Sequence, residues 1–391
     1  MSGEVNLQEI VICTQTYPRF RGDVNAPFLH NLAKSFAKRR NVTVVAPHHR
    51  MAKEKETVDG VSIQRFRYAR DQREILAYTG SMHKVALKPW NWWLAKRFMS
   101  RASRSVRQAL DTTKSEILYA HWLVPTGMFA KKALQGETFF AHVHGTDFHL
   151  MQKYGFIKKV ARRVLSNVDG VICVSNEQAE VVKSMTTAPV FVQAMGIDLE
   201  MFHAKERTVF SKNALFVGRI TEAKGVQQVI ETAKLTPDWN FKIIGDGPDL
   251  NQMKSIGEGV ENLEFVGAVE NNALPEYYRK ASAFILPSSR EGMPVSVLEA
   301  LACGVPTITT DVGQITEIIS DKENGFLIEG DASSIQNSLH QLEQSNVWAN
   351  MSKRASESVL KSGLDSATDN ILTFMQKIHQ SKSTEKVKRT H

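Results

Sequence analysis

The chain has 391 residues, of which 42% are hydrophobic and 23% are charged. These values are typical of globular proteins, and the length favours two domains over a single core. No run approaches the roughly 18 apolar residues of a membrane span, and the polar first residues are not typical of a secretory signal. Cys13, Cys173 and Cys303 lie in apolar or small-residue settings without metal-like spacing, which favours reduced packing residues in a cytoplasmic protein.

The net charge of +8 is unevenly distributed along the chain. Residues 1–200 hold 29 Lys and Arg against 17 Asp and Glu, whereas residues 201–391 hold 20 against 24. The first half is therefore basic (+12) and the second slightly acidic (−4). A basic first half suggests an anionic partner, which could be a phospholipid surface, a lipid pyrophosphate or a nucleic acid.

Short apolar runs suited to buried parallel strands recur in both halves, separated by helical stretches such as 27–39 and 157–166. In the first half they cover 10–14, 42–46, 117–120, 139–143, 170–174 and 190–192. In the second half they cover 214–217, 241–244, 263–266, 283–286, 307–309 and 326–328. The alternation predicts an α/β protein with two Rossmann-like, doubly wound parallel-sheet domains. We expect domains at 1–200 and 201–370, a boundary within 196–212, and a disordered basic tail at 381–391.

Residues suited to chemistry follow several of the predicted strands. In open parallel sheets, ligands bind beyond the carboxyl ends of the strands. In the first half, Gly22 lies in the long turn after the first strand, and His144 and Asp147 follow the 139–143 strand. In the second half, the residues at strand ends are Gly218, Arg219, Gly245, Gly267 and Glu291. This convergence predicts one site in a central cleft that both domains face.

The segment 83–110 contains seven basic residues and no acidic one, and it predicts an amphipathic helix after Pro89. One face would carry Leu94, Phe98, Ala102, Val106 and Ala109, and the opposite face Arg97, Arg101, Arg104 and Arg107. The neighbouring tryptophans are Trp90, Trp92 and Trp93. Tryptophans beside a basic stripe fit the interface of an anionic bilayer. The alternatives are an ordinary helix that packs on its sheet with solvated arginines, or a nucleic-acid contact.

Histidines mark the carboxyl ends of two predicted strands in the first half. His144, in the run Ala-His-Val-His-Gly-Thr-Asp, is a candidate for positioning a hydroxyl group or for acid–base work beside Asp147. His142 is expected to point to the opposite face of the strand, which disfavours a His-x-His metal pair. His121 and Trp122 follow the 117–120 strand and either line the same site or pack in the core.

The segment Val-Gly-Arg-Ile-Thr-Glu-Ala-Lys-Gly at 217–225 places Arg219 and Lys224 beside two glycines. A departing phosphate needs cations, and a guanidinium can bind it bidentately. Taken alone, the two could equally be a solvated surface pair. No Asp-x-Asp occurs, so a divalent ion on a diphosphate would lack its usual ligands, and we expect a metal-independent site. Gly245-x-Gly lacks the third glycine of a dinucleotide fingerprint, which disfavours NAD.

Two glutamates follow the 283–286 strand. Glu291 lies on the strand-to-helix turn, and Glu299 lies about two turns into the helix that begins after Pro294. The amides of Gly292 and Met293 would point off the helix N-terminus toward an anion or hydroxyl. Glu299 is suited to accept hydrogen bonds from ribose hydroxyls, and Glu291 to bind sugar hydroxyls or face an anomeric carbon. Taken singly, each is also typical of an ordinary helix glutamate.

Together these motifs resemble the retaining glycosyltransferases of the GT-B fold, specifically family four, which includes bacterial cell-surface polysaccharide and lipid glycosyltransferases. The run Glu-Gly-Met-Pro-Val-Ser-Val-Leu-Glu-Ala at 291–300 looks like the family's paired-glutamate motif, and 217–225 looks like its diphosphate motif. Two segments depart from the family pattern. Met195 replaces Asn in the linker usually read Asn-Gly-Ile-Asp, and Gly22-Asp23 replaces the usual double glycine of the acceptor-side loop.

The resemblance implies a role for each matching residue. Arg219 and Lys224 would hold the diphosphate and stabilise it as leaving group, and Glu299 would bind the ribose. Glu291 would bind the donor sugar, and His144 would contact that sugar near the reacting carbon. The other implied donor-site residues are Gly22, Gly267, Gly292, Met293, Pro294 and Val295.

The resemblance also implies a retaining hexosyltransferase with no assigned enzymatic nucleophile and no cofactor. Its donor would be a nucleotide-diphosphate sugar of the UDP or GDP type, and its acceptor a glycan or a lipid-linked oligosaccharide at the cytoplasmic face of the membrane, in cell-surface polysaccharide biosynthesis such as that of lipopolysaccharide or exopolysaccharide. No nucleic-acid partner is expected. A helix at 365–380 would cross back to the first domain. The alternative is a catalytically silent GT-B subunit that only binds, and the four intact charged residues argue against it.

Overall fold

The computed structural model describes residues 8–23, 25–78, 82, 85, 88–205, 210–291, 294–344 and 346–390. The chain divides into two compact units, each built on its own sheet. Unit 1 comprises Met1–Ala194 and Asp365–His391, and unit 2 comprises Met195–Leu364.

Unit 1 contains eight strands within the described residues. They are β1 (Glu9–Cys13), β2 (Asn41–Pro47), β3 (Lys55–Val58), β4 (Val61–Phe66), β5 (Ile117–His121), β6 (Thr138–Val143), β7 (Gly170–Cys173) and β8 (Val190–Val192). Their order across the sheet is β3-β4-β2-β1-β5-β6-β7-β8, and every pair except β3–β4 is parallel. All six strands predicted for this half are present. Their continuous apolar runs are typical of parallel strands whose two faces are both covered.

The strands β3 and β4 form an antiparallel hairpin that the apolar runs do not predict. Val58 pairs with Val61, so Asp59 and Gly60 form a two-residue turn in which φ is 51° and 81°. Positive φ at both positions is the type I′ geometry, for which Asp-Gly is a preferred sequence. Because β3 alternates exposed and half-buried residues, only this dipeptide marks the hairpin in the sequence.

The helices of unit 1 include the one predicted after Pro89. It spans Trp92–Thr113 and buries the predicted apolar face in the core of unit 1. This confirms the helix and its inward face. The other described α-helices of the unit are Pro27–Ala37, Met128–Ala133, Gly145–Lys153, Gly155–Leu165 and Asn176–Lys183, with Leu364–Thr390 at the end of the chain.

In the described part of unit 2 there are six strands, all parallel, and the six predicted for the second half are all present. They are β9 (Asn213–Val217), β10 (Asn240–Ile244), β11 (Leu263–Gly267), β12 (Ala283–Leu286), β13 (Thr307–Thr310) and β14 (Gly325–Ile328). Their order is β11-β10-β9-β12-β13-β14. The strand order therefore reverses between β9 and β12, at the position where Rossmann-like sheets bind ligands.

Helices connect the strands of unit 2 and fix the loops at that reversal. The helix Val226–Leu235 follows β9, and the helix Val295–Ala302 follows β12. The second of these buries nearly every residue, because it packs into the unit's core. The remaining described α-helices are Leu250–Ile256, Leu274–Lys280, Ala332–Leu342 and Val347–Ser358.

The helix Leu364–Thr390 docks on unit 1 through polar contacts in its first turns. Asp365 accepts hydrogen bonds from the hydroxyl of Ser35 at 2.6 Å and from Nζ of Lys38 at 3.0 Å. One turn later, Asp369 accepts a hydrogen bond of 2.9 Å from the guanidinium of Arg39. These contacts attach the end of the chain to the helix Pro27–Ala37 and the residues that follow it.

The same helix continues to Thr390, where the sequence predicts a disordered tail from residue 381. Its docking also extends beyond the predicted end, since Lys382 donates a hydrogen bond of 2.6 Å to Asp169. Once a helix is nucleated by such contacts, each added residue extends it at little further cost. The polar composition of the tail predicted disorder, whereas the helix extends through residues 381–390.

The cysteines behave as packing residues. Cys13, Cys173 and Cys303 are buried, and none of them forms a disulfide in the part of the chain that the structure describes. Among the described helices, none has both the length and the apolarity needed to cross a bilayer.

Candidate functional site

Two loops meet at the strand-order reversal of unit 2. The loop after β9 carries Arg219 and Lys224, and the loop after β12 carries Glu291. The amide of Ser289 donates a hydrogen bond of 2.9 Å to the carbonyl of Ala223, which ties the loops together. Lys224 and Glu291, which lie 67 positions apart in the sequence, are thereby held side by side.

Lys224 and Glu291 form an ion pair in which Nζ lies 2.5 Å from Oε1. The hydroxyl of Ser288 donates to the same carboxylate oxygen at 2.8 Å. The Glu291 side chain is only 9% exposed, so its carboxylate keeps little water and depends on these two partners. The structure therefore brings together a cation and a carboxylate that the sequence assigned to one site. Ser288 was missed, and its only signal was its place three residues before Glu291.

Arg219 lies on the same side of the reversal, but it makes no comparable contact. Its side chain is exposed, and no described residue lies within hydrogen-bonding or ion-pair distance of its guanidinium. An exposed guanidinium can offer its fork of N–H donors to a carboxylate or phosphate. Among the described residues, Lys224 therefore has a carboxylate partner at the site, whereas Arg219 has none.

Two glycines allow these loops to pack closely. Gly225, between Lys224 and the helix Val226–Leu235, has φ of 71°, and a Cβ there would lie 2.2 Å from the carbonyl oxygen of Pro287. Gly245, after β10, has φ of 143°, and its Cβ would lie 1.9 Å from the carbonyl oxygen of Gly218. Any side chain at either position would push the loops apart.

Glu299 is buried on the helix Val295–Ala302, and the hydroxyl of Tyr278 donates to its Oε2 at 2.8 Å. Burial raises the pKa of the Glu299 carboxyl to about 7, and the Tyr278 hydrogen bond offsets this only in part. Burial therefore favours the protonated form of this side chain, in contrast to an exposed glutamate. Tyr278 was missed because no local pattern in the sequence links a helix tyrosine to a carboxylate 21 positions later.

The remaining donor-site predictions in unit 2 have mixed outcomes. Gly292 and Met293 lie outside the described residues. Pro294 precedes the helix, Val295 begins it, and both lie next to the Glu291 turn. Gly267 ends β11 with φ of 85° and has open space beside it. Its role and those of Pro294 and Val295 stay predictions.

In unit 1, the ends of β5 and β6 bring three histidines together. His121 pairs with His142 in the parallel ladder, and the rings of His142 and His144 stack with centroids 4.5 Å apart. The prediction that His142 points away from His144 was wrong. Side chains alternate along a strand, so residues two apart lie on the same face. Nδ1 of His121 lies 3.0 Å from Nε2 of His144.

Burial shapes the chemistry of this histidine cluster, which we define as His121, His142 and His144. It lowers the pKa of His144 to about 3 and keeps the pKa values of the other two well below their usual range. All three rings are therefore neutral at physiological pH. Trp122 packs against His144, with ring centroids 4.7 Å apart.

Asp147 is buried, and its side chain accepts hydrogen bonds from backbone amides. Its carboxylate accepts hydrogen bonds from the amide of Leu123 at 3.0 Å and from that of His144 at 3.5 Å. Burial raises its pKa to about 7. With its oxygen engaged in this way, Asp147 holds the two strand ends together, and a direct contact with a sugar stays a prediction.

Gly22 lies in the loop after β1 with φ of 85°, in a turn closed by a side-chain clamp. The guanidinium of Arg19 donates to both carboxylate oxygens of Asp23, at 2.7 and 2.8 Å. Asp23 is the residue that departs from the double-glycine pattern, and it fixes the turn beside Gly22. The neighbouring Val24 lies outside the described residues.

The start of the helix Trp92–Thr113 exposes the predicted aromatic and basic residues. Trp90, Trp92 and Trp93 are 69%, 59% and 49% exposed, and Nζ of Lys88 lies 5.8 Å from the centroid of the Trp90 ring. Arg97, Arg101 and Arg104 are also exposed. In contrast, the guanidinium of Arg107 binds Asp111 and Glu137. We call Trp90, Trp92, Trp93, Arg97, Arg101 and Arg104 the tryptophan–arginine patch.

Two family models match successive parts of the chain. The model for glycosyl transferases group 1 matches residues 202–361, and the model for glycosyltransferase family 4 matches residues 26–201. The first contains the loops of Lys224 and Glu291, and the second contains the histidine cluster.

The chain belongs to the group 1 glycosyltransferases. This confirms the family predicted from the motifs.

Curated relatives of this group 1 glycosyltransferase match over parts of their length. A Bacillus subtilis glycosyltransferase named for teichuronic acid biosynthesis is 27% identical over 60% of this chain, and the chain spans only 62% of that relative, which is less than two thirds. An Escherichia coli UDP-Gal:α-D-GlcNAc-diphosphoundecaprenol α-1,3-galactosyltransferase is 28% identical over 66% of this chain and 73% of its own length.

Solved structures establish the fold. HepE of Anabaena, in complex with UDP and glucose, aligns with a TM-score of 0.71 and 15% identity over 95% of this chain and the whole of that chain. The predicted GT-B fold class, with two Rossmann-like parallel-sheet domains, is thereby confirmed. The predicted central cleft stays a prediction.

Proposed function

We propose that this group 1 glycosyltransferase is a retaining enzyme that moves a sugar from a nucleotide-diphosphate sugar to a hydroxyl of a glycan or lipid-linked acceptor. The observation that carries the proposal is the set of Lys224, Glu291 and Ser288 at the strand-order reversal, with exposed Arg219 beside it. Cations and a carboxylate at that position suit a ligand that has both phosphates and sugar hydroxyls.

The ion pair suggests how the site responds to a donor. A diphosphate carries more negative charge than one carboxylate, so it would compete with Glu291 for Lys224. When Lys224 turns to the phosphates, the Glu291 carboxylate becomes available to accept hydrogen bonds from the sugar. The exposed side chain of Arg219 would bind the diphosphate from the solvent side. As the glycosidic bond breaks, both cations would stabilise the departing nucleotide, where negative charge develops.

Two relatives support the class of donor and acceptor. The E. coli protein is named for a UDP-linked sugar donor and a diphosphoundecaprenol acceptor, and HepE is solved with UDP and glucose. We therefore propose a UDP-type donor, with GDP as the alternative, and a lipid-linked acceptor in cell-surface polysaccharide synthesis. No cofactor is required. Because the sequence has no Asp-x-Asp and two cations lie at the site, we propose that no metal ion binds the diphosphate.

The first experiment measures thermal shifts with UDP-, GDP-, ADP- and dTDP-sugars, followed by donor hydrolysis and sugar transfer with the donor that binds. Lys224→Ala and Glu291→Ala should each abolish transfer while circular dichroism remains unchanged. Lys242→Ala is a matched control, since Lys242 also pairs with a glutamate of the same unit but lies on β10 away from these loops. Full activity in both site variants would refute the proposed site.

The same measurements separate the enzyme from a silent binding subunit. A silent subunit would show a thermal shift with a donor but neither hydrolysis nor transfer in the unmodified protein. The pre-formed pair of Lys224 and Glu291 favours the enzyme, because a subunit without chemistry has no need for a carboxylate held beside a phosphate-binding cation.

We further propose that the enzyme works as a peripheral protein on the cytoplasmic face of an anionic membrane, where a lipid-linked acceptor would lie. The support is the tryptophan–arginine patch, in which three exposed indoles adjoin three exposed guanidiniums. Indoles prefer the membrane interface, and arginines are attracted to anionic headgroups.

Sedimentation with lipid vesicles tests this second proposal. The protein should bind anionic vesicles and not neutral ones, and a triple variant with Trp90, Trp92 and Trp93 changed to Ser should lose most of that binding. Phe156→Ser, an exposed aromatic elsewhere in unit 1, is the control and should bind as the unmodified protein does. Equal binding by the triple variant would contradict the proposal, as would salt-sensitive retention on DNA without vesicle binding.

A further inference from the structure

Three loops of unit 1 meet at the carboxyl ends of β1, β2 and β4, which are neighbouring strands of the sheet. The hydroxyl of Tyr78, in the loop after β4, donates a hydrogen bond of 2.7 Å to the carbonyl of Pro47, the last residue of β2. The Tyr78 ring contacts His49 of the loop after β2, with ring centroids 5.4 Å apart. It also contacts Arg19 of the loop after β1, whose guanidinium carbon lies 5.6 Å from the ring centroid. One aromatic ring thus joins the three loops.

The guanidinium of Arg19 is fixed by its neighbours. Its Nε and Nη2 donate to the two carboxylate oxygens of Asp23, at 2.7 and 2.8 Å. Its carbon also lies 5.5 Å from the centroid of the Phe20 ring, so the guanidinium contacts two aromatic rings. The remaining nitrogen, Nη1, makes no hydrogen bond within the described residues. A guanidinium that is held in this way loses little conformational freedom when its last nitrogen binds a phosphate.

The loop after β2 adds a neutral donor and a second cation. Nδ1 of His49 accepts a hydrogen bond of 3.2 Å from the amide of Met51, so the neutral ring carries its proton on Nε2. Burial lowers the pKa of His49, and the charges of Arg19 and Arg50 lower it further. The opposing effect of Asp23 is smaller, so the surroundings of this ring are positively charged. Arg50 is exposed, and it forms no ion pair in the described part of the chain.

Exposed apolar side chains adjoin these donors. Phe20, next to Arg19, is 42% exposed, and Met51, next to Arg50, is 55% exposed. Exposed apolar surface rimmed by polar groups is a mark of a binding site, whereas a single exposed apolar residue is not. Because both side chains lie beside cations, the ligand that fits this surface has an anionic head and an apolar chain.

The tryptophan–arginine patch lies toward the same edge of the sheet. The helix Trp92–Thr113 precedes the parallel strand β5, so it runs antiparallel to the strands and begins at their carboxyl ends. The ring of Phe98, in its second turn, lies 5.0 Å from that of Tyr68, two residues past the end of β4. A lipid whose head is bound at Arg19 and Arg50 would therefore keep its chain near a bilayer that the exposed tryptophans contact.

We propose that Arg19, His49 and Arg50 bind the diphosphate of a lipid-linked acceptor. Phe20 and Met51 contact the first part of its hydrocarbon chain. This inference rests on the proposed function, because it names the chemistry of the acceptor. Two guanidiniums and a neutral N–H donor suit a diphosphate, which carries more than one negative charge, better than a phosphodiester headgroup with a single charge.

The test uses the full chain and farnesyl diphosphate below its micelle-forming concentration, with binding measured by isothermal titration calorimetry. We expect farnesyl diphosphate to bind, farnesol not to bind, and inorganic diphosphate to bind more weakly. Arg50→Ala should weaken the binding of farnesyl diphosphate by about tenfold or more, because a charge-assisted contact is lost. Lys114→Asn removes an exposed cation just before β5, at the opposite edge of the sheet, and should leave the affinity unchanged.

The titrations are repeated with Lys224→Ala, because the candidate site of unit 2 is also proposed to bind a diphosphate. The affinity for farnesyl diphosphate should be the same as in the unmodified chain. A loss of binding in Lys224→Ala would assign the ligand to unit 2 and overturn the proposal. In the same background, a double variant with Phe20→Ser and Met51→Ser should bind farnesyl diphosphate more weakly and inorganic diphosphate equally well.

The outcomes decide the proposal without an activity assay. Absence of farnesyl diphosphate binding by the unmodified chain overturns it, and so does equal affinity in Arg50→Ala or equal binding of farnesol. Anionic vesicles without a diphosphate lipid should bind Arg50→Ala as they bind the unmodified chain. A loss of vesicle binding in that variant would assign Arg50 to bilayer headgroups and overturn the proposal. If donor hydrolysis and transfer fail while farnesyl diphosphate still binds, the proposed function is refuted and this surface stands.

Discussion

Replacing Glu299 by Gln should stabilise unit 2, and the gain should depend on pH. Glu299 is buried, and burial raises the pKa of its carboxyl from 4.5 to about 7. The folded chain therefore holds this proton more tightly than the unfolded chain. Its contribution to stability is fully present below about pH 4.5, decreases as the pH rises, and is lost above about pH 7. Gln carries no charge and can still accept the hydrogen bond from Tyr278.

The size of the effect follows from the pKa difference. Each pKa unit corresponds to about 1.4 kcal/mol, so a shift from 4.5 to about 7 amounts to about 3 kcal/mol. Glu299→Gln should then unfold with the same free energy as the unmodified protein near pH 4.5 and with about 3 kcal/mol more at pH 8. For a unit of this size, that difference raises Tm by roughly 6–12 °C.

Scanning calorimetry at several values between pH 4.5 and pH 8 measures the difference. Glu258→Gln, an exposed glutamate of the same unit, is the control and should show no trend with pH. A constant difference between Glu299→Gln and the unmodified protein across this range would refute the burial argument. If Glu299 also binds ribose hydroxyls, the stabilised variant should bind a UDP-sugar more weakly, since an amide is a poorer acceptor than a carboxylate.

Three further predictions concern the backbone and the end of the chain. Gly225→Ala should destabilise unit 2 by at least about 2 kcal/mol in urea unfolding, because of its positive φ and its contact with Pro287. Gly60→Ala should cost about 1 kcal/mol at the hairpin turn, whereas an Asn there should be better tolerated. Arg39→Ala should lower stability by about 1 kcal/mol or less, since its pairs are partly exposed, yet limited proteolysis at the helix Leu364–Thr390 should accelerate.

The strands of both sheets could be predicted because each is a short apolar run between polar segments. Parallel strands covered on both faces require such runs, so the sequence marks them directly. The hairpin of β3 and β4 lacks that mark, since it lies at the sheet edge and alternates exposed residues. A search for Asp-Gly between two β-rich segments would have found it.

The candidate site could be predicted in its charged residues but not in their partners. Strand ends point to Lys224 and Glu291, because the carboxyl ends of parallel strands meet at one edge of a sheet. Their partners Ser288 and Tyr278 depend on how loops and helices pack, and nothing in the local sequence fixes that. The error at His142 had a different origin, since the alternation rule itself places His142 and His144 on one face.

The two units differ in whether the polar groups of their candidate residues have hydrogen-bond or ion-pair partners within the protein. In unit 2, Lys224 and Glu291 form an ion pair with each other, so a ligand that bound at this candidate site would have to replace an existing contact. In unit 1, two histidine nitrogens are buried with no such partner among the described residues. A charged group that has a protein partner in the absence of ligand suits a substrate that binds and dissociates in each catalytic cycle.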